Sequence, residues 1–116
     1  MLTMPSSVRV YLAPGRTDMR KSFDTLAALA RDVLEKDPLS GHLFAFCGKR
    51  RNRVKILGWD RNGFWLLLKR LEEDRFIWPS EAAVPTLTVE QLRWLLEGID
   101  IGVVQRHPQR VYERAG

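Results

Sequence analysis

Three short apolar runs, separated by two turn signals, constrain this chain more than any other feature. The runs are Leu43–Cys47, Val54–Trp59 and Phe64–Leu71. Gly48 to Asn52 separates the first two, and Asp60-Arg61-Asn62-Gly63 separates the last two. Runs of this kind, joined by Gly/Asn-containing links, read as strands connected by hairpins. A further extended stretch, Arg75-Phe76-Ile77-Trp78, follows a tight turn at Glu73-Asp74 and is ended by Pro79. Upstream, Val8 to Leu12 alternates as a short first strand until Ala13-Pro14-Gly15 breaks it.

Two segments change period from two to three and four. From Asp18 onward, Met19, Phe23, Leu26, Ala30, Val33 and Leu34 fall on one helical stripe. Asp18 and Asp24 lie near its start, where acids suit the helix dipole. Asp37-Pro38 ends it, because a residue before proline avoids helical angles. Thr88-Val89-Glu90-Gln91 fits a capping box. Leu92, Leu95, Leu96 and Ile99 give the apolar face that follows, and Gly98 closes that helix.

These elements predict an α+β fold: an antiparallel β-meander of four to five strands with one helix before and one after. Both helices are expected on one face of the sheet. The other face is expected to be partly exposed and open to self-association or a protein partner. Residues 1–7 read as a flexible N-terminus, 8–102 as a single domain, and 103–116 as a mobile tail carrying Arg106, Arg110 and Arg114. A chain of 116 residues suits one core. With 45% apolar and 28% charged residues, the composition argues against disorder.

Several chemistries find little support. Cys47 is the only cysteine, which rules out an internal disulfide or a CxxC site and suits a small buried hydrophobe. His42 and His107 lie in different elements without cysteine partners, so neither a metal nor another cofactor is expected. Strand transfer by two metals needs clustered carboxylates. Asp18, Asp24, Asp60, Glu72, Glu73 and Asp74 each have a sufficient role in a turn or at a helix start, so no enzyme is predicted. No apolar segment approaches the roughly 20 residues that span a bilayer. The N-terminus lacks a signal-peptide pattern, so a cytoplasmic protein without a membrane partner is expected.

Charge points elsewhere. The formal net charge is +5 and the pI about 9.9, which favours a polyanionic partner. Lys49, Arg50, Arg51, Arg53 and Lys55 crowd the first hairpin turn, and no acid follows until Asp60. Cations on a turn project into solvent and cannot all pair with carboxylates, so the turn is a candidate phosphate contact. Arg16, Arg20 and Lys21 form a second cluster, Lys69 and Arg70 a third, and Arg75 sits on the neighbouring turn. Alternate turns of a meander share an edge, which would put the 49–53 and 72–75 turns at one end. The nominated nucleic-acid contacts are Lys49, Arg50, Arg51, Arg53, Lys55, Arg20, Lys21, Lys69, Arg70 and Arg75. Trp59, read as lying beside the basic turn, is a candidate for base stacking. The other aromatics read as core.

An ordered set of motifs adds a family likeness. It begins with Asp18-Met19-Arg20-Lys21-Ser22-Phe23-Asp24, Asp37-Pro38, Gly41 and Leu43-Phe44-Ala45-Phe46. Arg53-Val54-Lys55-Ile56-Leu57, Trp59-Asp60, Gly63 and Lys69-Arg70-Leu71-Glu72 continue it. Arg75-Phe76, Trp78-Pro79, Leu87-Thr88, Gln91-Leu92 and Gly98-Ile99-Asp100 complete it. From about Val8 to Asp100 the chain resembles the second-open-reading-frame accessory protein of insertion sequences of the sixty-six family, often labelled transposase or TnpB. It does not resemble the large RNA-guided nucleases that share those letters. The resemblance implies a non-catalytic accessory role in transposition; with the basic charge, it makes DNA at element ends and the larger transposase of the same element the expected partners. It transfers no catalytic residues. Cys47-Gly48 departs from the polar residues that relatives tend to carry there, and Ile101 from a frequent tryptophan. An adaptor that docks on the transposase without touching DNA is the competing expectation.

Overall fold

The computed structural model describes residues 4–79 and 85–101. Its elements are β1 (Arg9–Leu12), α1 (Phe23–Asp32), β2 (Leu43–Cys47), β3 (Arg53–Asp60), β4 (Gly63–Arg70), β5 (Thr86–Thr88) and α2 (Val89–Leu96). The five strands form one sheet in the order β4-β3-β2-β1-β5. The two hairpins lie where the turn signals put them. Cys47 pairs with Val54 across the first, and Asp60 pairs with Gly63 across the second.

The sheet is mixed, which corrects the expectation of a purely antiparallel meander. β1 runs parallel to β2, with Val10 opposite Leu43, and α1 is the crossover between them. Parallel neighbours need such a connection, and the helix supplies it. β5 then pairs antiparallel with the free side of β1. A second correction concerns residues 75–78. They form no strand, yet Phe76 and Trp78 are buried. The Trp78 indole Nε1–H donates to the Ala13 carbonyl at 2.9 Å. This irregular segment covers one side of the sheet where a strand was expected to extend it.

The helices lie on opposite faces, not on one. Strand residues alternate between two cores. Phe44, Phe46 and Leu57 pack with Leu26, Ala27 and Ala30 of α1. Leu43, Ala45, Cys47, Val54 and Ile56 belong with Leu92 and Leu95 of α2, together with Phe76 and Trp78. Every residue of β2 is buried. That accounts for its unbroken apolar run, since a central strand covered on both sides has no polar face to show.

Local chemistry explains the helix ends. α1 begins at Phe23, after the expected Asp18, because Ser22 is its cap; the Ser22 N–H donates to Thr25 Oγ1 at 3.0 Å. Met19 therefore precedes the helix, and Phe23 and Val33 sit largely exposed on a narrower stripe than the spacing suggested. The helix ends at Asp32, before Asp37-Pro38, and Glu35 takes a left-handed φ of 57°. Asp37 instead forms a separate turn, its Oδ1 accepting from the Leu39 N–H at 2.9 Å. The capping box of α2 forms as read. The Gln91 N–H donates to Thr88 Oγ1 at 3.1 Å, and the Thr88 N–H to Gln91 Oε1 at 2.9 Å. Gly98 follows the helix with φ 90°, a conformation that suits glycine.

The N-terminal residues 1–3, residues 80–84 of the expected linker and the basic tail with Arg106, His107, Arg110 and Arg114 lie outside the described residues.

Candidate nucleic-acid interface

The basic turn joins β2 to β3 at one end of the sheet. The Arg51 N–H donates to the Gly48 carbonyl at 3.0 Å, and the Gly48 N–H to the Arg53 carbonyl at 3.0 Å, which closes the loop. Arg51 sits in the left-handed region with φ 63°. Two other segments flank the turn. On one side, the Thr17 N–H donates to the Cys47 carbonyl at 2.8 Å, so residues 15–19 run alongside it. A Cβ on Gly48 would stand 2.7 Å from the Met19 Cγ, so glycine lets that side chain lie against the turn. On the other side, the Leu71 N–H donates to the Asn52 carbonyl at 2.8 Å and the Phe76 N–H to the Arg51 carbonyl at 2.6 Å. The 49–53 and 72–75 turns therefore share one end.

The structure divides the ten nominated cations by what they touch. Arg51 turns inward and donates from Nη1 to the Gly15 carbonyl at 3.0 Å. Lys55 reaches under the loop before α1, where its ammonium donates to the Met19 and Lys21 carbonyls, each at 2.7 Å. Lys69 donates to the Leu96 carbonyl at 2.9 Å, at the C-terminal end of α2, where a cation meets the negative end of the dipole. Arg20 binds Asp18 side-on, and Arg70 binds Glu72 side-on. The Arg20 hydrogen bonds hold the Asp18 carboxyl well below the usual carboxylate range. Both ion pairs are exposed, so they add little stability but offset charge locally.

Lys49, Arg50, Arg53 and Arg75 remain exposed, with no carboxylate or carbonyl partner for their side chains among the described residues. Lys21 likewise has no such side-chain partner there, but it is half-buried beside α1. Arg16 is not among the ten, yet it lines both crevices that flank the basic turn. One, of about 530 Å³, is bounded by Arg16, Asp18, Met19, Lys49, Arg50 and Arg53. The other, of about 810 Å³, lies between Arg16, Lys49 and Arg50 and the 71–75 turn. The signal for Arg16 was its place just after Pro14-Gly15, a loop start.

Two acids temper this end. Glu73 and Asp74 border the second crevice, and neither has an ion-pair partner among the described residues. Trp59 does not stand beside the basic turn, which corrects the sequence reading. It lies at the far end of β3, about 20 Å along the strand from Arg53. There it packs edge-on against Phe64 with ring centroids 5.0 Å apart.

His42 and Cys47 have a structural partner or burial. His42 Nδ1 accepts from the Arg9 N–H at 2.9 Å, and its ring meets Tyr11 edge-on. Cys47 is fully buried, and that burial pushes its thiol pKa up, away from the reactive thiolate. Among the described residues, no group of three or more His, Cys, Asp or Glu could hold a metal ion. No helix among them is long and apolar enough to cross a membrane.

Fold and site together define a small mixed-sheet protein, layered between two helices, with unpaired cations gathered at one end. Residues 8–106 match the family described as IS66 Orf2 like protein, and the chain belongs to that family. It is similar to two uncharacterized proteins of Sinorhizobium fredii. It is 42% identical to y4hO over 113 residues, covering 97% of this chain and 95% of the relative. It is 31% identical to y4jC over 109 residues, covering 93% of each. No solved structure matches.

Proposed function

We propose that this chain is a non-catalytic accessory protein of insertion-sequence transposition that grips the DNA backbone with its basic end. Membership of the IS66 Orf2-like family supports the link to transposition. One observation carries the DNA-binding part. Lys49, Arg50 and Arg53, with Arg16 and Arg75 beside them, stand exposed around two crevices that share Arg16, Lys49 and Arg50, without partners among the described residues. Cations already held by carbonyls or carboxylates have little left to offer a phosphate. Unpaired ones release counterions when they bind, which drives association. None of Arg16, Lys49, Arg50, Arg53 and Arg75 lies on a helix that could enter a major groove, so contacts of this kind would position DNA without reading its sequence.

Anisotropy titrations with element-end and random duplexes, with and without the larger transposase, test this reading. Alone, the chain should bind both duplexes with similar affinity, and Arg50→Ala should weaken both alike. Absence of binding to either duplex would refute direct contact. Docking on the transposase through the same basic end would then be the surviving role, and a complex that withstands nuclease treatment would support it.

Glu73 and Asp74 supply a second test of the same site. Their carboxylates face the crevice and oppose an incoming phosphate. The double change Glu73→Gln with Asp74→Asn should raise DNA affinity about twofold at moderate salt, from Coulomb repulsion across roughly 10 Å of screened solvent. An unchanged affinity would mean that DNA does not approach this turn.

A further inference from the structure

We propose that two copies of the chain pair through β4, antiparallel and centred on Leu67, to make one continuous ten-stranded sheet. β4 is an edge strand, with β3 as its single neighbour. It is eight residues long, and its last four are exposed. Edges in soluble proteins are commonly blunted by proline, a bulge or a charge. From Gly63 to Leu68 this edge has no proline or charge, and its pairing with β3 runs without a bulge. Leu67 and Leu68 are 48% and 57% exposed.

The register follows from where the backbone points. Asp60 and Gly63 flank a two-residue hairpin, and the Leu71 N–H donates to Asn52 on the β3 side. Odd-numbered residues of β4 therefore bond to β3. Phe64, Leu66, Leu68 and Arg70 direct their N–H and C=O groups outward, where a further strand would add.

The side chains point to a second copy as the occupant, because β4 complements itself in one orientation. A two-fold axis normal to the sheet at Leu67 sets Leu66 against Leu68, Trp65 against Lys69 and Phe64 against Arg70 of the second copy. Each cation then meets an aromatic ring and not another cation. Parallel pairing would bring Lys69 and Arg70 of the two copies together, and a centre at Leu66 would set Lys69 against Gly63. The dimer would carry its two basic turns at opposite ends of the joined sheet, facing apart. The contact is small, so dissociation in the micromolar range is expected. Because each chain carries a net charge of +5, added salt should tighten this association by screening repulsion.

Sedimentation velocity of the full chain from 1 to about 200 µM, at low and high salt, reads the equilibrium directly. A monomer–dimer transition that strengthens with salt is expected. Leu68→Pro removes an outward N–H and no bond to β3, so it should abolish the dimer while leaving the circular dichroism spectrum and thermal midpoint nearly unchanged. Leu67→Cys tests the register. Two such residues would face each other across the axis as a non-hydrogen-bonded pair about 4.5 Å apart, within disulfide reach. Mild oxidation should give a covalent dimer from Leu67→Cys and not from Leu68→Cys. A monomer at all concentrations, a dimer that survives Leu68→Pro, or equal cross-linking at both positions would overturn the proposal.

Discussion

Replacing Lys55 with methionine should lower the thermal midpoint by about 10 °C. Its ammonium donates to two carbonyls, of Met19 and Lys21, at 2.7 Å each. Hydrogen bonds to a charged group contribute about 1.5–3 kcal/mol apiece, and partial rehydration of the freed loop brings the joint loss to about 2–3 kcal/mol. In a domain of this size that corresponds to the stated fall. Lys49→Met is the control: its side chain is exposed and unpartnered among the described residues, so the change should stay within about 0.5 kcal/mol. Differential scanning fluorimetry on both variants separates them. Equal midpoints would mean that Lys55 is not tied to the loop and is as free as its neighbours.

Trp78→Ala should have a still larger effect, a loss of about 3–5 kcal/mol. Trp78 is 8% exposed in the core shared with α2, although it lies in no regular element. Its truncation leaves a cavity and also removes the bond to the Ala13 carbonyl. Trp78→Phe keeps most of the packing and loses only that bond, so it should cost about 1 kcal/mol. Urea unfolding monitored by far-UV circular dichroism gives both values. A mild Trp78→Ala phenotype would mean that residues 75–79 are a loose cover and not part of the core.

The contrast between Lys55 and Lys49 also marks what the sequence could reveal. Both hairpins, the α2 capping box and the shared end of the two turns were legible, because each depends on residues close in the chain. The parallel pairing of β1 with β2 depends on a crossover through α1, and no local pattern announces it. The placement of the helices on opposite faces was available in the apolar run of β2, whose alternate residues all needed cover. Among the cations, charge alone makes Arg51, Arg53 and Lys55 look equivalent. Arg53, Lys55 and Leu57 share one strand face, and Leu57 is fully buried in the core beneath α1. That alternation hinted that Lys55 points toward covered backbone, but its partners, the carbonyls before α1, come from another part of the chain.

The salt dependence of DNA binding is the most direct measurement. If about four phosphates are neutralised by the exposed cations, log affinity should fall against log salt with a slope near −3.6. The combined Lys49→Ala, Arg50→Ala and Arg53→Ala variant should lose about 2.7 of that slope. Arg20→Ala with Arg70→Ala should keep nearly all of it, because those two guanidiniums already face Asp18 and Glu72. Equal slopes for the wild type and the triple variant would contradict a DNA-gripping role for the basic turn.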